Sequence, residues 1–316
     1  MTPEFNLIKT HFTRSTPNTN LGVGDDAALI SLPAGMELAI SADMLVAGTH
    51  FFVNCDAFQL GWKSLAVNVS DMAAMGANPK WATLAIALPE INNIWLATFS
   101  KGFFACAEKF NIDLIGGDTT RGPLTISVQI MGEVPVGKAI KRSGAKIDDE
   151  IWVSGKLGDA AMALAHIQGK LRLPNEVFTT CAKALHEPQP RVELGLKLRD
   201  LANSAIDISD GLLADLGHIL EQSNVGATIK ISSIPHSQFA DLGDKDILKM
   251  ILAGGDDYEL CFTASSSNHS KIIKLADSLG IPMSCIGQIT KSNNLVILGL
   301  DGEVLDFKET GFDHFS

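Results

Sequence analysis

The composition of the chain limits the classes of protein to which it can belong. It has 316 residues, of which 46% are hydrophobic and 19% are charged, a balance typical of a folded globular protein and not of a disordered one. This length favours two domains. The formal net charge of −11 argues against a nucleic-acid-binding protein, which needs a basic face.

The spacing of the cysteines and the lack of long apolar segments predict the cellular compartment of the protein. The five cysteines are widely spaced and include no Cys-x-x-Cys pair, so neither a disulfide framework nor a zinc site is expected. Residues 1–14 contain no hydrophobic stretch like that of a signal peptide. No run of about 18 apolar residues predicts a membrane span. We therefore expect a cytoplasmic protein with no membrane partner.

The first half of the chain predicts a sheet with two long helices. Hydrophobic periodicity and turn formers predict strands at 27–31, 36–42, 81–88 and 124–133. The same signals predict helices at 57–75 and 92–110. Within the last of these strands, residues 124–131 alternate between apolar and polar, as a half-buried strand does.

The second half mixes strands and helices without a strict alternation. Helices are predicted at 158–168, 176–184, 190–202, 210–222 and 268–279. Strands are predicted at 151–154, 226–231, 259–263, 284–287 and 295–298. Turn formers and positive charges mark a boundary between Gly132 and Glu150. We therefore predict an α+β fold with two mixed α/β domains, residues 1–137 and 138–316.

An aspartate recurs after short apolar runs and one or two small residues. It does so at Asp26, Asp43, Asp71, Asp118, Asp207, Asp210 and Asp256. Strands are predicted directly before four of these motifs, at 37–40, 113–115, 204–206 and 251–253. Mg²⁺ takes oxygen ligands, often one or two carboxylates together with substrate phosphates. The pattern therefore predicts metal-assisted chemistry on a phosphorylated substrate.

The acidic motifs also have structural explanations. Asp71 could cap a helix, but the residues before it already look helical, which favours a metal-binding role. Asp207 and Asp210 flank Ser209 ahead of a predicted helix, and an N-cap explains only one of the two acids. Two carboxylates at a helix N-terminus suit a cation that bridges to phosphate.

Three further candidates remain open between structure and function. At Gly117 a backbone amide could approach phosphate, with Asp118 on the accompanying metal, or the motif could be a tight turn. Arg142 lies in the one basic stretch, where it could fork onto phosphate oxygens or be a solvated charge. His50 stands alone, and a lone histidine is more often structural.

One motif resembles a phosphate-binding loop and is rejected. Residues 132–139 nearly match Gly-x₄-Gly-Lys-[Ser/Thr]. However, Ala139 lacks the hydroxyl that binds Mg²⁺, and Pro135 removes an amide from the loop. We expect Lys138 to be a solvated surface charge and not a nucleotide ligand.

Seven motifs in a fixed order give the chain a close resemblance to the thiamine-monophosphate kinases. They occupy 22–27, 43–51, 68–77, 117–122, 142–145, 207–212 and 254–260. This family belongs to a larger group of ATP-binding enzymes that includes aminoimidazole ribonucleotide synthetase and selenophosphate synthetase. The resemblance implies ATP-dependent phosphorylation of thiamine monophosphate to the diphosphate with several Mg²⁺ ions.

The resemblance also implies roles for individual residues. The implied metal ligands are Asp26, Ser41, Asp43, Asp71, Asp118, Asp207 and Asp210. The implied ATP contacts are Gly117, Asp118, Arg142 and Ser209, and the implied contacts to the thiamine phosphate are His50, Asp256 and Phe312. Two positions depart from the family pattern, because Asp256 replaces the usual glutamate and Met44 replaces a common threonine. No general base is nominated, since the accepting phosphate oxygen is already largely ionised near neutral pH.

The resemblance further implies a homodimer formed through the N-terminal sheet, with 124–131 as a plausible sheet face. Two alternatives stay open, namely another ATP-dependent enzyme of the same superfamily and a non-catalytic ATP and metal sensor. Two relatives of that superfamily are disfavoured. Selenophosphate synthetases carry a reactive cysteine or selenocysteine near the N-terminus, but this chain has no cysteine before Cys55. It also lacks the cysteine-bearing tail of the hydrogenase-maturation proteins.

Overall fold

The computed structural model describes residues 2–237, 239, 241, 243–307 and 311. The chain forms two compact units. The first comprises the chain up to Met72 together with Ala77–Gly137, and the second comprises Ala73–Gly76 together with the chain from Lys138 onward. Each unit contains one mixed sheet and a set of helices.

The first unit is built on a four-stranded sheet. Its strands are β1 (Met36–Val46), β2 (Asn78–Leu88), β3 (Asp113–Arg121) and β4 (Thr125–Pro135), in the order β1-β4-β2-β3. Strand β4 pairs antiparallel with β1 and β2, whereas β2 and β3 are parallel. The helices are α1 (Pro3–Leu7), α2 (Ala57–Ala74) and α3 (Asn93–Phe110), and a π-helical turn covers Ile8–Phe12.

Helices α2 and α3 supply most of the apolar core of this unit. Residues 60–70 of α2 are all buried, as expected for a helix that is apolar around most of its circumference. Helix α3 begins after Asn92, whose side chain accepts hydrogen bonds from two amides of the first turn, and ends at the left-handed Asn111 (φ 54°). Between these caps, Phe99 and Phe103 are fully buried.

The second unit is built on a six-stranded sheet. Its strands are β5 (Glu150–Ser154), β6 (Ser204–Asp207), β7 (Gly226–Lys230), β8 (Leu260–Ala264), β9 (Met283–Thr290) and β10 (Leu295–Leu298), in the order β10-β7-β9-β5-β8-β6. Strands β10 and β7 are parallel, and the other pairs are antiparallel. The helices are α4 (Asp159–Ile167), α5 (Asn175–His186), α6 (Val192–Leu198), α7 (Leu212–Ser223), α8 (Lys245–Ala253) and α9 (His269–Leu279).

Both faces of this second sheet are covered. Successive residues of a strand point to opposite faces, and β5 therefore sends Ile151 and Val153 into one core and Trp152 into the other. Trp152 stacks on Phe262 of the neighbouring strand β8, with ring centroids 6.4 Å apart. A central strand apolar on both faces is thus explained by helices on each side.

The predicted α+β class with two mixed units is confirmed, and three local predictions are wrong. The run 251–253 was predicted to be a strand but ends α8, which begins after Asp244, a side-chain cap for two amides. A short apolar run does not distinguish a strand from a buried helix end. The strand predicted at 27–31 is reduced to a single bridge between Leu21 and Leu29. The strand predicted at 113–115 extends through the motif that follows it, to Arg121 at the end of β3.

Two general properties follow from the described part of the chain. Within it, no helix combines the length and the apolar character needed to cross a membrane. All five cysteines are free thiols.

Candidate functional site

In the first unit, two of the candidate metal ligands lie in direct contact. The Ser41 hydroxyl on β1 donates a 2.6 Å hydrogen bond to the Asp71 carboxylate on α2. Two residues further along β1, the Asp43 amide donates to the Asn68 side chain of the same helix at 3.1 Å. The motif 68–71 therefore attaches α2 to β1, and Asp71 lies inside the helix, as predicted, and does not cap it.

Gly117 and Asp118 lie within strand β3 and not on an open loop. Gly117 has φ 151°, and a Cβ atom there would lie 1.8 Å from the Leu84 carbonyl oxygen of β2. Glycine at this position is thus explained by close strand packing alone. Asp118 is exposed, so its carboxylate is accessible to a ligand.

The strand register separates Asp43 from Asp118. Two rows of side chains cross the sheet, namely Asp43–Val128–Leu84–Gly117 and Met44–Ser127–Ala85–Asp118. Neighbouring rows point to opposite faces of a sheet, and adjacent strands lie about 4.8 Å apart. Because β1 and β3 are the two edge strands, Asp43 and Asp118 differ in both face and edge. A single copy of this unit cannot bring these two carboxylates onto one cation.

His50 closes the turn that follows β1. Its Nδ1 accepts a 3.0 Å hydrogen bond from the Val46 amide, and its own amide donates to the Val46 carbonyl at 2.9 Å. In the neutral ring the proton is therefore on Nε2. The structural explanation of this lone histidine holds, and its Nε2–H is the atom that a substrate oxygen could use.

In the second unit, the motifs 207–212 and 254–260 meet. The Asp256 amide donates to the Ser209 carbonyl at 2.7 Å, and the Tyr258 amide donates to the Ile208 carbonyl at 2.8 Å. Asp207, the last residue of β6, is buried, whereas Ser209, Asp210 and Asp256 are half-buried. These two motifs thus form one acidic loop pair.

The loop that carries Asp256 has an unusual backbone. Asp256 and Tyr258 adopt left-handed conformations, with φ 65° and 51°, directly after Gly255 at φ 67°. Non-glycine residues in this region store strain of the order of 1–3 kcal/mol each and often mark functional loops. The hydrogen bonds to 208 and 209 hold the loop in this form.

Asp215 organises the neighbouring loop, and the sequence analysis did not identify it. A single carboxylate oxygen, Oδ2, accepts hydrogen bonds from the amides of Ser209, Asp210 and Gly211 at 3.0–3.1 Å. Burial, followed by the charge of Asp210, raises the pKa of Asp215 to about 7, against the opposing effect of the three amides. The only sequence signal is an acid in the first turn of α7, which a helix N-terminus favours.

Asp257 is a second acid that sequence reasoning missed, and it is half-buried. Its Oδ1 accepts a hydrogen bond from the Gly158 amide at 2.9 Å, and its Oδ2 is buried with no hydrogen-bond partner among the described residues. Burial raises the pKa of Asp257 well above the usual range, with further contributions from the carboxylates of Glu259, Asp159 and Asp256. This cluster of acids favours a cationic neighbour.

Glu259 of the same motif forms a buried ion pair. Arg191 donates to it through Nε at 2.7 Å and through a second guanidinium nitrogen. The Ser154 hydroxyl donates to Glu259 at 2.5 Å. Gly155, at φ 61°, leaves the space that the carboxylate occupies, since a Cβ there would lie 1.9 Å from it. The hydrogen bond from Ser154 attaches the end of the acidic loop to β5.

Arg142 and Lys138 have different surroundings. Lys138 is exposed and pairs with Asp200 at 2.7 Å, which agrees with the prediction of a solvated surface charge. Arg142 begins a 3₁₀ turn, Arg142–Gly144, and its exposed side chain lines a cavity of about 430 Å³. The rejection of the 132–139 segment as a phosphate-binding loop is therefore consistent with the structure.

Asp26 and Phe312 complete the set of candidates. Asp26 is exposed in the segment that precedes β1, and Phe312 lies outside the described residues. Gly311 lies against Asp210 and Ala214 at the start of α7. Across the described positions, no three His, Cys, Asp or Glu side chains are close enough to enclose a metal ion. The donor set consists of carboxylate and hydroxyl oxygens, which suits a hard divalent cation that takes its remaining ligands from phosphates and water.

Comparison with known proteins relates this arrangement to a family. The model of the AIR synthase related protein, N-terminal domain, matches residues 24–134, and the corresponding C-terminal domain matches residues 136–299. The thiamine-monophosphate kinase of Salmonella typhimurium is 44% identical over 99% of this chain and 98% of its own length.

Two solved structures agree with these matches. The crystal structure of the thiamine-monophosphate kinase from Stenotrophomonas maltophilia K279a has a TM-score of 0.85 and 48% identity, and the match covers 92% of this chain and 93% of that one. AaThiL complexed with AMPPCP and TMP has a TM-score of 0.77 and 27% identity, with 98% and 96% covered. The chain belongs to the thiamine-monophosphate kinase family of AIR synthase related proteins.

Proposed function

We propose that the protein transfers the terminal phosphoryl group of ATP to thiamine monophosphate, which gives thiamine diphosphate and ADP. The observation that carries this proposal is identity above 40% with thiamine-monophosphate kinases over nearly the full length of both chains. A relative in complex with AMPPCP and TMP supports it further, because AMPPCP is an ATP analogue with a methylene in place of the bridging oxygen.

The transfer requires alignment more than covalent help from the protein. A phosphate oxygen of the acceptor attacks the terminal phosphorus of ATP, a new P–O bond forms, and the bond to the ADP oxygen breaks. The attacking oxygen is already ionised near neutral pH, so we assign no catalytic residue as general base. The protein acts by holding two anionic partners in line and by compensating their charge.

We assign several Mg²⁺ ions to carboxylate and hydroxyl oxygens of the recurring acidic motifs. The proposed ligands are Asp26, Ser41, Asp43, Asp71, Asp118, Asp207 and Asp210. Bound Mg²⁺ would neutralise phosphate charge at these residues. The contact between Ser41 and Asp71 and the half-buried position of Asp210 support this assignment. The scattered acids form no complete protein cage, as expected where phosphates supply ligands.

The substrate contacts are proposed for the two phosphorylated partners separately. ATP is assigned to Gly117, Asp118, Arg142 and Ser209, and thiamine monophosphate to His50, Asp256 and Phe312. The Nε2–H of His50 and the exposed guanidinium of Arg142 are suitable donors for phosphate oxygens. The acidic loop near Asp256 and Asp257 suits the positive charge of the thiazolium ring. We further propose that the reaction takes place in the cytoplasm, where free thiols are stable.

We propose that the functional form is a homodimer joined through the N-terminal sheet. Residues 1–137 then form the domain for ATP binding, metal binding and dimerisation, and residues 138–316 form the C-terminal domain. Ile40 and Met44 on edge strand β1 expose 55% and 56% of their surface. Gln129 and Asp118, on the same face of the sheet, are also exposed. The separation of Asp43 and Asp118 within one copy is relieved if edge strand β3 of one copy lies beside edge strand β1 of its partner, because the edge that carries Asp118 then meets the edge that carries Asp43.

Subunit complementation tests this assembly. Asp43→Asn and Asp118→Asn are each expected to be nearly inactive alone. Coexpressed with separate tags and purified as a mixed dimer, they leave one site with neither substitution. Random pairing then restores about a quarter of wild-type activity in the unselected mixture, since two-fold assembly makes half of the dimers mixed. A monomeric mass by light scattering, or mixed dimers as inactive as the parents, contradicts the composite site.

The reaction itself is tested by product identification. Purified protein with ATP, Mg²⁺ and thiamine monophosphate is expected to give thiamine diphosphate and ADP by mass spectrometry, and EDTA is expected to stop the reaction. Turnover of a different acceptor with none of thiamine monophosphate would indicate another enzyme of the superfamily. Binding of ATP without any product would indicate the non-catalytic sensor.

A further inference from the structure

We propose that His218 and Gln222 on helix α7 recognise the purine base of ATP in the cavity beside Arg142. This inference rests on the proposed kinase function and adds the residues that select the nucleoside. His218 and Gln222 lie outside the seven motifs that carry the family resemblance, whereas Arg142 belongs to one of them.

The cavity is open to solvent and has the volume of a small-molecule site. Its volume is about 430 Å³, within the range of 300–1,000 Å³ typical of ligand pockets. It is lined by Met75, Lys141, Arg142, Ser143, His218 and Gln222. All of these belong to the second unit.

The polar side chains around the cavity are available to a ligand. In the part of the chain that the structure describes, the side chains of Lys141, Arg142, His218 and Gln222 form no hydrogen bond or ion pair with another residue. Polar groups at a cavity wall that lack internal partners can bind a ligand without first breaking protein contacts. This distinguishes Arg142 from Lys138, which is already paired.

The cavity wall is held together by α7 itself. The Ser223 hydroxyl donates to the Arg142 carbonyl at 2.9 Å and accepts from the Ala145 amide at 3.2 Å. The 3₁₀ turn that carries Arg142 is therefore attached to the same helix that carries His218 and Gln222. Those two residues are four positions apart, so they lie on one face of the helix, one turn from each other.

Helix α7 also sets a suitable distance along an extended nucleotide. Ser209 and Asp210, assigned to the phosphates and their metal, lie just before its first residue, Leu212. With a rise of 1.5 Å per residue, His218 is roughly 9 Å and Gln222 roughly 15 Å along the helix from Leu212. A triphosphate held at the start of the helix would thus extend its base toward the second and third turns.

The chemistry of the two side chains fits a purine and not another phosphate. A glutamine amide offers one donor and one acceptor side by side, which matches N6 and N7 of adenine. A histidine ring can stack on the base, and the Met75 thioether supplies an adaptable apolar contact. Lys141 and Arg142 remain for the anionic part of the ligand.

Binding measurements with three probes test the assignment. Calorimetry with ADP, GDP and inorganic tripolyphosphate is made on the full-length wild type and on His218→Ala, Gln222→Ala and Arg142→Ala. The matched control is Glu221→Ala, an exposed neighbour on α7 that does not line the cavity. Gln222→Ala is expected to weaken ADP binding by about tenfold, the scale of a bidentate base contact, and to reduce the preference for ADP over GDP. His218→Ala is expected to weaken both nucleotides.

Tripolyphosphate separates base recognition from phosphate binding. Its affinity should be unchanged in His218→Ala and Gln222→Ala and reduced in Arg142→Ala. Equal losses for tripolyphosphate and ADP in the α7 variants would overturn the assignment to the base, as would ADP affinities equal to that of Glu221→Ala. Wild-type formation of thiamine diphosphate is measured on the same preparation, so that failure of the kinase proposal is seen independently of the nucleotide affinities.

Discussion

Asp71→Asn and Asp118→Asn are each expected to lower kcat by roughly two or more orders of magnitude, the scale of losing a few kcal/mol of transition-state stabilisation. Each change removes one negative charge from a proposed metal ligand and leaves the size of the side chain nearly unchanged. The charge and position of the cation then no longer match the phosphates, whereas an interaction with substrate alone would alter KM more than kcat.

The structure predicts that both variants fold. Asparagine at 71 retains an oxygen that can accept the hydrogen bond from the Ser41 hydroxyl, and Asp118 is exposed. The matched control is Glu90→Gln, which neutralises an exposed acid of the same unit outside the motifs and should retain wild-type kcat. Steady-state kinetics over a range of Mg²⁺ concentrations, with circular dichroism for folding, provides the measurement. Near-normal kcat in either folded variant would remove that residue from the site.

Local sequence patterns were sufficient for most of the fold. The helices at 57–75 and 92–110 were predicted within one residue of α2 and α3. Each is a periodic apolar stretch that is too long for an ordinary strand. The position of Asp71 inside α2 followed from the same pattern. Asp207 was correctly expected at the end of a strand, since β6 is a short apolar run before small residues.

The wrong predictions have two physical causes, namely pairing with a strand distant in sequence and an apolar run too short to show its period. Gly116 and Gly117 were expected to follow the end of a strand, yet they belong to β3 because pairing with β2 leaves no room for a side chain at Gly117. The run 251–253 was predicted to be a strand because three residues are too few to show a helical period. The helical spacing of the buried residues of α8 is recognisable only when Ile247 and Leu248 are included.

The contacts that hold Asp215 and Glu259 in the second unit could not be predicted from the sequence. Glu259 is 68 residues from Arg191 and 105 residues from Ser154, and no local rule links such positions. Asp215 is only a few residues from the loop that it organises, but its role depends on three amides converging on one oxygen. The small and apolar neighbours of the acids predicted candidate metal ligands, and the fold determined which of these acids are held by other residues.

The Arg191–Glu259 pair is expected to have the largest effect on stability. Removing one partner of a buried ion pair strands the other charge, which typically costs 3–5 kcal/mol. Both side chains are largely buried, with 24% and 10% of their surface exposed. Burial acts to lower the pKa of Arg191, but the hydrogen bond and charge of Glu259 outweigh it and raise that pKa. Arg191→Met should therefore lower the free energy of unfolding by about 3–5 kcal/mol, measured by urea denaturation.

The origin of this loss is tested with a double variant. If the stranded carboxylate is the cause, Arg191→Met combined with Glu259→Gln is expected to be more stable than Arg191→Met alone, since no charge remains buried without a partner. Lys138→Ala is the matched control, because it breaks an ion pair whose side chains are 53% and 76% exposed, and water and salt screen such pairs almost completely. It should leave the urea midpoint unchanged. A double variant less stable than Arg191→Met, or a loss in Lys138→Ala as large as that in Arg191→Met, would show that burial of the charge is not what makes this pair important.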